Sequence, residues 1–349
     1  MLYRPTLFLV VCVCVAPLAG CAKPEAQAPP VSAASPAAPQ TTAASASPVP
    51  SVAPLVSARP ANEAGLIPIL EYHRITKKPT RYDRTAADFR KDLERLHREH
   101  YRPVALQDML AGKLNLPKGA SPVVLTFDDA DASQFRYRAG GGIDPDCAVG
   151  ILKTFAKKHP DFPPIATFYV LPESAFGAAK ERPAKFQALR DIGCEIGNHT
   201  VRHVSLKSLS DAKVQEEIGG AVQKINAILP DTPVTSIALP MGISPKNKAL
   251  LAKGTFAGKP YTNGSVLLVG ANPAPSPYAK TFDPLRLPRI QAVEGGSGIT
   301  DWLDRLKKNG NAYVSDGDDS VVTLSAPAAA TVSQNRLRGR EIVSEGGAG

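Results

Sequence analysis

The stretch Pro122–Asp129 reads PVVLTFDD, an apolar run that stops on two adjacent carboxylates. A continuous apolar run of this kind is typical of a β-strand that is covered on both faces. A second apolar stretch ends in His199-Thr-Val-Arg-His203. One carboxylate and two imidazoles can hold a zinc-class ion and leave a position open for water, whose proton a second carboxylate can accept. Together the two segments predict metal-dependent hydrolysis.

Either segment alone is weak evidence. Two aspartates after a strand usually form a turn or a helix cap, because their side chains accept hydrogen bonds from nearby backbone N–H groups. A lone His-x-x-x-His pair is often structural. The metal site is favoured because each segment follows its own apolar strand.

Apolar runs alternate with helix-like segments between about Leu66 and Leu324, which predicts one α/β domain with a largely parallel sheet. Seven strands would form an irregular barrel, smaller than the eight-stranded kind. The predicted strands are Ile67–Leu70, Val123–Phe127, Ile165–Val170, Cys194–Gly197, Ser236–Leu239, Ser265–Val269 and Leu285–Ile290. The predicted helices are Thr85–His100, Ala148–His159, Pro183–Ile192 and Ser210–Ile228.

The candidate functional residues share one position relative to these strands. Asp128, Asp129, His199 and Met241 come just after the carboxyl ends of their strands, and His73 follows the first strand in the same way. In barrels of this type the catalytic groups gather on that face. Unrelated surface residues would not be expected to share it.

The N-terminus predicts secretion and lipid attachment. Arg4 precedes an apolar core at residues 7–19 that is too short to span a bilayer comfortably. Leu18-Ala-Gly-Cys21 resembles the bacterial lipobox, whose cysteine is lipidated, although an ordinary secreted protein cut nearby is the alternative. We therefore expect a lipid-anchored protein of the bacterial cell envelope. The predicted divisions are a signal peptide at 1–20, an Ala/Pro/Ser-rich tether at 21–63, a catalytic domain at 64–325 and a disordered tail at 326–349.

The cysteine count and the net charge leave several possibilities for the disulfide state and the binding partners. Cys147 and Cys194 are the cysteines of the folded region, and either a disulfide or two buried thiols is compatible with the sequence. The net charge of +9 fits an acidic wall polymer or a membrane surface. No basic cluster interleaved with aromatic residues suggests nucleic acid.

The motifs resemble those of the polysaccharide deacetylases, the NodB-homology enzymes of carbohydrate esterase family 4, over about residues 66–310. Thr126-Phe-Asp-Asp-Ala130 is similar to the first family motif, and His199–His203 is similar to the second. The resemblance implies a deformed (β/α)7 barrel. It also implies that Asp128 is the general base and that Asp129, His199 and His203 bind the metal.

The chain departs from the family pattern at two places. The third motif normally carries an arginine that orients the base, but here the segment reads Ala238-Leu-Pro-Met-Gly242. No histidine follows His203, so the usual C-terminal acid is missing. The circularly permuted deacetylases of poly-N-acetylglucosamine have this histidine near the N-terminus in a Tyr-His motif, which His73 resembles. Arg289 could supply the arginine from the last strand. The alternative for His73 is a structural histidine, and the alternative for Arg289 is a surface salt bridge.

Two further residues and the metal complete the predicted site. By motif position the Met241 N–H is a candidate donor to the oxyanion, and Trp302 resembles the tryptophan that walls the family's groove, although structural packing explains it equally well. Zinc is the first choice for two histidines and one aspartate, and Co²⁺, Ni²⁺ or Fe²⁺ would also fit.

The sequence thus predicts a hydrolase that removes N-acetyl groups from poly-N-acetylglucosamine or a peptidoglycan-type polymer and releases acetate. A catalytically silent carbohydrate-binding lipoprotein on the same fold, or an O-acetyl esterase, is the alternative. Its partners would be the glycan and a membrane, and the sequence does not predict an oligomeric state.

Overall fold

A computed structural model describes residues 59–325 and 331–344. The predicted signal peptide, Cys21 and nearly all of the predicted tether lie outside the described residues. Within these two ranges, no helix is both long enough and apolar enough to cross a membrane.

Strands and helices alternate along the described chain. The strands are β1 (Ile69–Tyr72), β2 (Tyr101–Pro103), β3 (Ser121–Phe127), β4 (Thr167–Val170), β5 (Glu195–Asn198), β6 (Ser236–Ala238), β7 (Lys253–Phe256), β8 (Lys259–Thr262), β9 (Ser265–Leu267), β10 (Ile290–Gln291), β11 (Val321–Leu324) and β12 (Glu341–Ser344). The helices are α1 (Ala86–Arg98), α2 (Leu106–Ala111), α3 (Ala148–Lys158), α4 (Arg182–Asp191), α5 (Asp211–Ile228), α6 (Ala249–Ala252) and α7 (Ile299–Asn309).

The central sheet has eight parallel strands: seven follow the order β10-β1-β3-β4-β5-β6-β9, and β2 pairs with β3 off this path. The ring is completed at Leu287, just before β10, which forms a parallel bridge with Leu267 of β9. The segment 287–291 therefore pairs with β9 at its start and with β1 at its end. The predicted deformed (β/α)7 barrel in a single domain is confirmed.

The sequence pattern explains why these elements form. Every residue of β3 is buried, as its continuous apolar run predicts for a strand covered on both faces. Helix α1 buries Phe89, Leu93 and Leu96, whose spacing places them on one helical face. The Thr85 hydroxyl accepts a hydrogen bond from the Asp88 N–H and caps this helix.

The last barrel strand is shorter than the sequence predicted. The segment Leu285–Ile290 was expected to be a strand, but residues 284–286 form a 3₁₀ turn and β10 begins only at Ile290. Pro284 and Pro288 lack the N–H groups that a regular ladder needs, which accounts for the break.

The C-terminal segment differs from the disordered tail expected from residue 326. Residues 341–344 form β12, which pairs in parallel with β11. Val332 and Leu337 are buried in an apolar cluster that includes Leu106, Met109 and Tyr278, so hydrophobic burial holds this segment in place.

The two cysteines of the folded region are free thiols at separate places. The Cys147 sulfur accepts a hydrogen bond from the Gly150 N–H at the start of α3. The Cys194 thiol donates to the Pro164 carbonyl. Of the two alternatives left by the sequence, the structure has the buried thiols.

A buried carboxylate joins the beginning of the domain to its C-terminal part. Glu63 accepts hydrogen bonds from the Tyr313 hydroxyl at 2.8 Å and from the Thr323 N–H at 3.0 Å. Burial raises the pKa of Glu63 from 4.5 to about 7, although both hydrogen bonds oppose the shift. The folded protein therefore binds more protons than the unfolded chain between these two pH values.

We expect stability to fall with rising pH because of Glu63. The pKa change from 4.5 to about 7 corresponds to roughly 3 kcal/mol of unfolding free energy, present below pH 4.5, lost as the pH rises through 7 and constant above it. Since Gln cannot ionise, Glu63→Gln should gain stability relative to the wild type between pH 5 and pH 8. Urea unfolding of both proteins across this range measures the difference; parallel curves would contradict the assignment.

Candidate active site

The two aspartates reach the site because the chain leaves the strand geometry between them. The Asp128 N–H still donates to the Tyr72 carbonyl and continues the pairing of β3 with β1. Asp129 and Ala130 then take φ angles of 70° and 51°, in the left-handed region that non-glycine residues rarely adopt. Adjacent residues of a regular strand would point to opposite faces. The turn brings both carboxylates to His199 instead.

The His199 ring is fixed by a hydrogen bond to the backbone of the next strand. Its Nδ1 lies 2.9 Å from the Ala238 carbonyl at the end of β6, an acceptor only. Nδ1 must therefore carry a proton, so Nε2, which faces the two carboxylates, is the ring atom that a metal would bind in place of a proton. This arrangement suits a metal ligand.

The loop that carries His203 is held by two buried polar side chains. Asn198 accepts a hydrogen bond from the Thr200 N–H at 2.8 Å. Glu217, on α5, accepts from the N–H groups of Val201 and Arg202 at 3.0 and 2.9 Å. In the structure Asn198 contacts the Thr200 backbone, and the Ala238 carbonyl orients the imidazole.

The three predicted metal ligands lie together at the carboxyl ends of the barrel strands. The Asp129 Oδ1 is 3.4 Å from His199 Nε2 and 3.6 Å from His203 Nε2. For zinc, with ligand distances of about 2.0–2.2 Å, tetrahedral geometry places two ligand atoms roughly 3.4 Å apart. Asp129 and His203 are partly exposed, which leaves the cluster accessible from solvent. The residues present therefore fit a zinc-class ion.

Asp128 is bound by the fully buried Arg289. The two terminal guanidinium nitrogens donate to the two carboxylate oxygens, each at 2.7 Å. Two further N–H groups of Arg289 donate to the Leu268 carbonyl at 2.7 Å and to the Thr126 hydroxyl at 3.2 Å. The arginine missing from the third motif thus has a counterpart in space, supplied by the segment between β9 and β1. The surface salt bridge considered as its alternative does not occur.

The charges at the site keep both aspartates ionised. Burial favours the neutral form of Asp128, but the Arg289 guanidinium outweighs it and holds the pKa of Asp128 far below its usual value. Burial also acts against ionisation of Asp129, and the hydrogen bond and charge of His199 outweigh it, so the pKa of Asp129 is lowered. Asp129 is therefore in the form that a ligand needs.

His73 stands beside these groups at the end of β1. Its Nε2 is 3.9 Å from the Glu71 Oε1, and single ligand atoms of Glu71, His73 and Asp128 all lie within 4.8 Å of one another. Gln134 donates to the backbone carbonyls of His73 and Asp128 at 3.0 and 2.6 Å. This buried amide fixes the candidate acid and the candidate base relative to each other.

Glu71 is a site residue to which the sequence analysis gave no role. Its Oε2 lies 3.5 Å from the Arg289 Nε and accepts a hydrogen bond from the Gly270 N–H at 3.1 Å. Burial raises the pKa of Glu71 despite the neighbouring guanidinium. A Cβ on Gly270 would lie 2.2 Å from the Arg289 carbonyl oxygen, so only glycine fits there. Nothing in the Glu-Tyr-His spacing distinguishes Glu71 from an ordinary strand residue.

Of the two remaining predicted site residues, Met241 follows a barrel strand and Trp302 lies on a helix. Met241 follows β6 with a φ of 55° and a half-exposed side chain, close along the chain to the carbonyl that orients His199. Trp302 lies on α7, packs against the main apolar cluster and donates its indole N–H to the Ala271 carbonyl at 2.7 Å. Among the described residues its contacts are structural, and none joins it to His73.

The comparisons with known proteins agree with the fold and the motifs. Residues 115–256 match the family model described as polysaccharide deacetylase, which confirms the resemblance recognised in the sequence. The matched segment contains Asp128, Asp129, His199 and His203 and excludes His73 and Arg289. No curated protein matches the chain.

Solved structures of deacetylases share this fold. The deacetylase PplD of Streptococcus pyogenes, solved with acetate, is 20% identical with a TM-score of 0.50, and the match covers 65% of this chain and 92% of that one. The polysaccharide deacetylase BC0361 of Bacillus cereus is 17% identical with a TM-score of 0.51, over 70% of this chain and 69% of that one. For BA0330 of Bacillus anthracis the values are 18% and 0.48, and the chain covers 64% of that protein.

Removing one ligand should remove the metal. We expect His203→Ala and Asp129→Asn each to weaken Zn²⁺ binding more than 100-fold, because even changes outside the ligand shell cost roughly 10–100-fold. His159→Ala, at a partly exposed histidine outside the cluster, is the matched control. Calorimetric titration with Zn²⁺ measures the affinities. Wild-type binding by His203→Ala would place the ion elsewhere.

Loss of the buried guanidinium should destabilise the barrel. Arg289→Met leaves Asp128 buried without its partner, which we expect to lower the free energy of unfolding by about 3–5 kcal/mol. Adding Asp128→Asn should restore part of this loss, because the buried charge is then removed as well. Urea unfolding of both variants tests this, with the exposed Arg81→Met as the control. A loss of less than about 1 kcal/mol for Arg289→Met would show that the stability of the barrel does not depend on this ion pair.

Proposed function

We propose that the protein is a divalent-metal-dependent deacetylase that hydrolyses N-acetyl groups of an extracellular or cell-wall polysaccharide and releases acetate. The observation that carries the proposal is the convergence of Asp129, His199 and His203 beside an ion-paired Asp128, on the face where barrel enzymes bind substrate. The family match supports the reaction class.

Asp129, His199 and His203 would hold the ion, with zinc as the first choice. When bound, such an ion polarises the acetyl carbonyl and lowers the pKa of water at the site towards about 7. The buried His199 and the more exposed His203 leave one side of the cluster open to a polymer.

Asp128 accepts the proton of the attacking water. Arg289 keeps this carboxylate ionised and holds it in one orientation, at the cost of a lower proton affinity than a free aspartate has. The proton therefore resides on Asp128 only briefly before it passes on. The Met241 N–H is the proposed donor to the oxyanion, because this residue follows the strand end whose carbonyl holds His199.

His73 protonates the departing amine, which is a poor leaving group until it gains a proton. It is suited to this role because Gln134 holds its backbone against that of Asp128 and because its side chain remains partly exposed. Glu71 lies beside the ring, with its Oε1 3.9 Å from the His73 Nε2.

The cellular location is part of the proposal. The signal-like N-terminus and the lipobox-like segment ending at Cys21 support a lipid anchor in a bacterial envelope membrane. An N-acetylated exopolysaccharide or wall polymer would be within reach of such an anchored enzyme.

The competing candidate is a catalytically silent carbohydrate-binding protein. It was favoured by the missing motif arginine and the missing C-terminal histidine. The three converging metal-ligating groups beside an ionised Asp128 argue against it, because glycan binding alone needs neither a metal site nor a base. An O-acetyl esterase would use the same residues, and substrate choice alone separates it from the proposed enzyme.

Acetate release from acetylated chito-oligomers and poly-N-acetylglucosamine tests the proposal. We expect Asp128→Asn to bind Zn²⁺ like the wild type and to lose at least roughly 1,000-fold in kcat, since it keeps the ligands but cannot accept the proton. A chelator should abolish wild-type activity, and added Zn²⁺ should restore it.

His73→Ala should lower kcat on the amide substrates by roughly 100-fold or more, with a smaller effect on an activated acetyl ester whose leaving group needs no proton. Full turnover of the amide by His73→Ala would refute the role of this histidine. Wild-type release of acetate from O-acetyl but not N-acetyl substrates would identify an esterase.

A further inference from the structure

The segment 74–84, called here the basic loop, links β1 to α1 directly after His73. Arg74 is joined to the buried Asp83 by two hydrogen bonds of 2.9 Å, and the Thr80 N–H donates to the same carboxylate. At its far end Arg84 pairs with Asp92 of α1 and with Glu294. These internal bonds brace the loop, so its outer side chains are held at the rim of the candidate site.

Three cations of the basic loop have no carboxylate partner among the described residues. Arg74 and Arg84 are neutralised by their ion pairs, whereas Lys77, Lys78 and Arg81 are exposed and form no salt bridge there. Asp83 is engaged by Arg74, Asp88 by Lys91 and Glu294 by Arg84, whereas Asp131 acts on Arg74 only through its charge. The rim beside His73 therefore carries an excess of positive charge.

An exposed aromatic ring accompanies this charge. Tyr82 is 44% exposed, and its ring centroid lies 5.9 Å from that of His73. The Arg81 guanidinium lies 5.4 Å from the centre of the Tyr82 ring. The face of such a ring can pack against the C–H face of a sugar.

A recess continues from the basic loop across the face of the barrel. It has a volume of about 340 Å³ and is lined by Arg81, Asp83, Arg84 and Asp88 on one side and by Glu294 and Gly295 on the other, so it carries both charge signs. The second side follows β10, the strand next to β1.

We infer that the basic loop is a glycan subsite which selects an anionic N-acetylated polysaccharide, with Tyr82 packing on a sugar ring and Lys77, Lys78 and Arg81 binding the acidic groups of neighbouring sugars. The inference rests on the proposed function, because it adds a substrate class to the same site. Positive charge at the rim attracts an acidic polymer and acts against a polymer that becomes cationic as its amines are released.

Charge removal tests the subsite. The variant Lys77→Gln/Lys78→Gln/Arg81→Gln is compared with Lys153→Gln/Lys157→Gln/Lys158→Gln, which removes the same charge from exposed lysines of α3. The substrates are glycan strands that carry carboxylates on alternate N-acetylated sugars, and neutral chito-oligomers of equal length. We expect the loop variant to lose roughly tenfold in kcat/KM on the acidic strands at low salt, mostly through KM, and to be unchanged on the neutral ones.

The α3 variant should match the wild type on both substrates, and high salt should reduce the effect of the loop variant. An N-acetylated polymer with phosphodiester groups, tested in a parallel arm, distinguishes phosphate from carboxylate as the preferred anion. Equal kcat/KM for the loop and α3 variants on all acidic polymers, or equal losses on acidic and neutral substrates, would overturn the inference.

Tyr82 is tested separately. Tyr82→Ala should raise KM roughly fivefold on long oligomers of either charge and leave a monomeric N-acetyl substrate unaffected, whereas Tyr82→Phe should behave as the wild type because the ring face is retained. No effect of Tyr82→Ala on any oligomer would exclude the sugar contact. If the wild type released acetate from no N-acetylated glycan, the proposed function itself would be wrong. This outcome differs from failure of the subsite, in which the wild type is active and the variants match it.

Discussion

The ion pair between Arg289 and Asp128 is the interaction on which the site depends. A guanidinium without exposed surface is stable in a barrel interior only when its donors are satisfied, and Asp128, the Leu268 carbonyl and Thr126 satisfy them here. The same contact joins the last barrel segment to β3. It also holds Asp128 ionised and oriented next to His199. The same ion pair therefore helps to close the barrel and holds the candidate base in its ionised form.

Closure of the ring explains how residues from opposite ends of the domain meet. His73 follows the first strand and Arg289 precedes the last, yet β10 pairs directly with β1. In a closed barrel every strand has two neighbours, so a side chain can reach the centre from any position in the chain order. Arg289 can therefore reach Asp128, and the candidate acid His73 lies at the same place, although neither belongs to the matched motifs.

The elements that the sequence predicted well are those with a strong local pattern. Six of the seven barrel strands were found near their predicted positions, β10 shares only Ile290 with its prediction, and α1 and α5 begin at the caps Thr85 and Ser210. The supports of the site were not predicted. Gln134, Glu71 and Glu217 are polar residues whose spacing carries no signal, and each acts through contacts with segments distant in the chain. The contacts of Asn198 and Trp302 could not be read from adjacent motifs for the same reason.

The sequence by itself determined the strand alternation and the chemistry of the ligands, because periodicity and residue type act locally. It also limited the candidate acid to a few histidines. Only the tertiary structure decided which of the distant groups face the two aspartates. That choice depends on the twist and closure of the sheet and on backbone turns such as the one at Asp129, where φ is 70°. These are global constraints, set when the apolar faces of strands and helices are buried together.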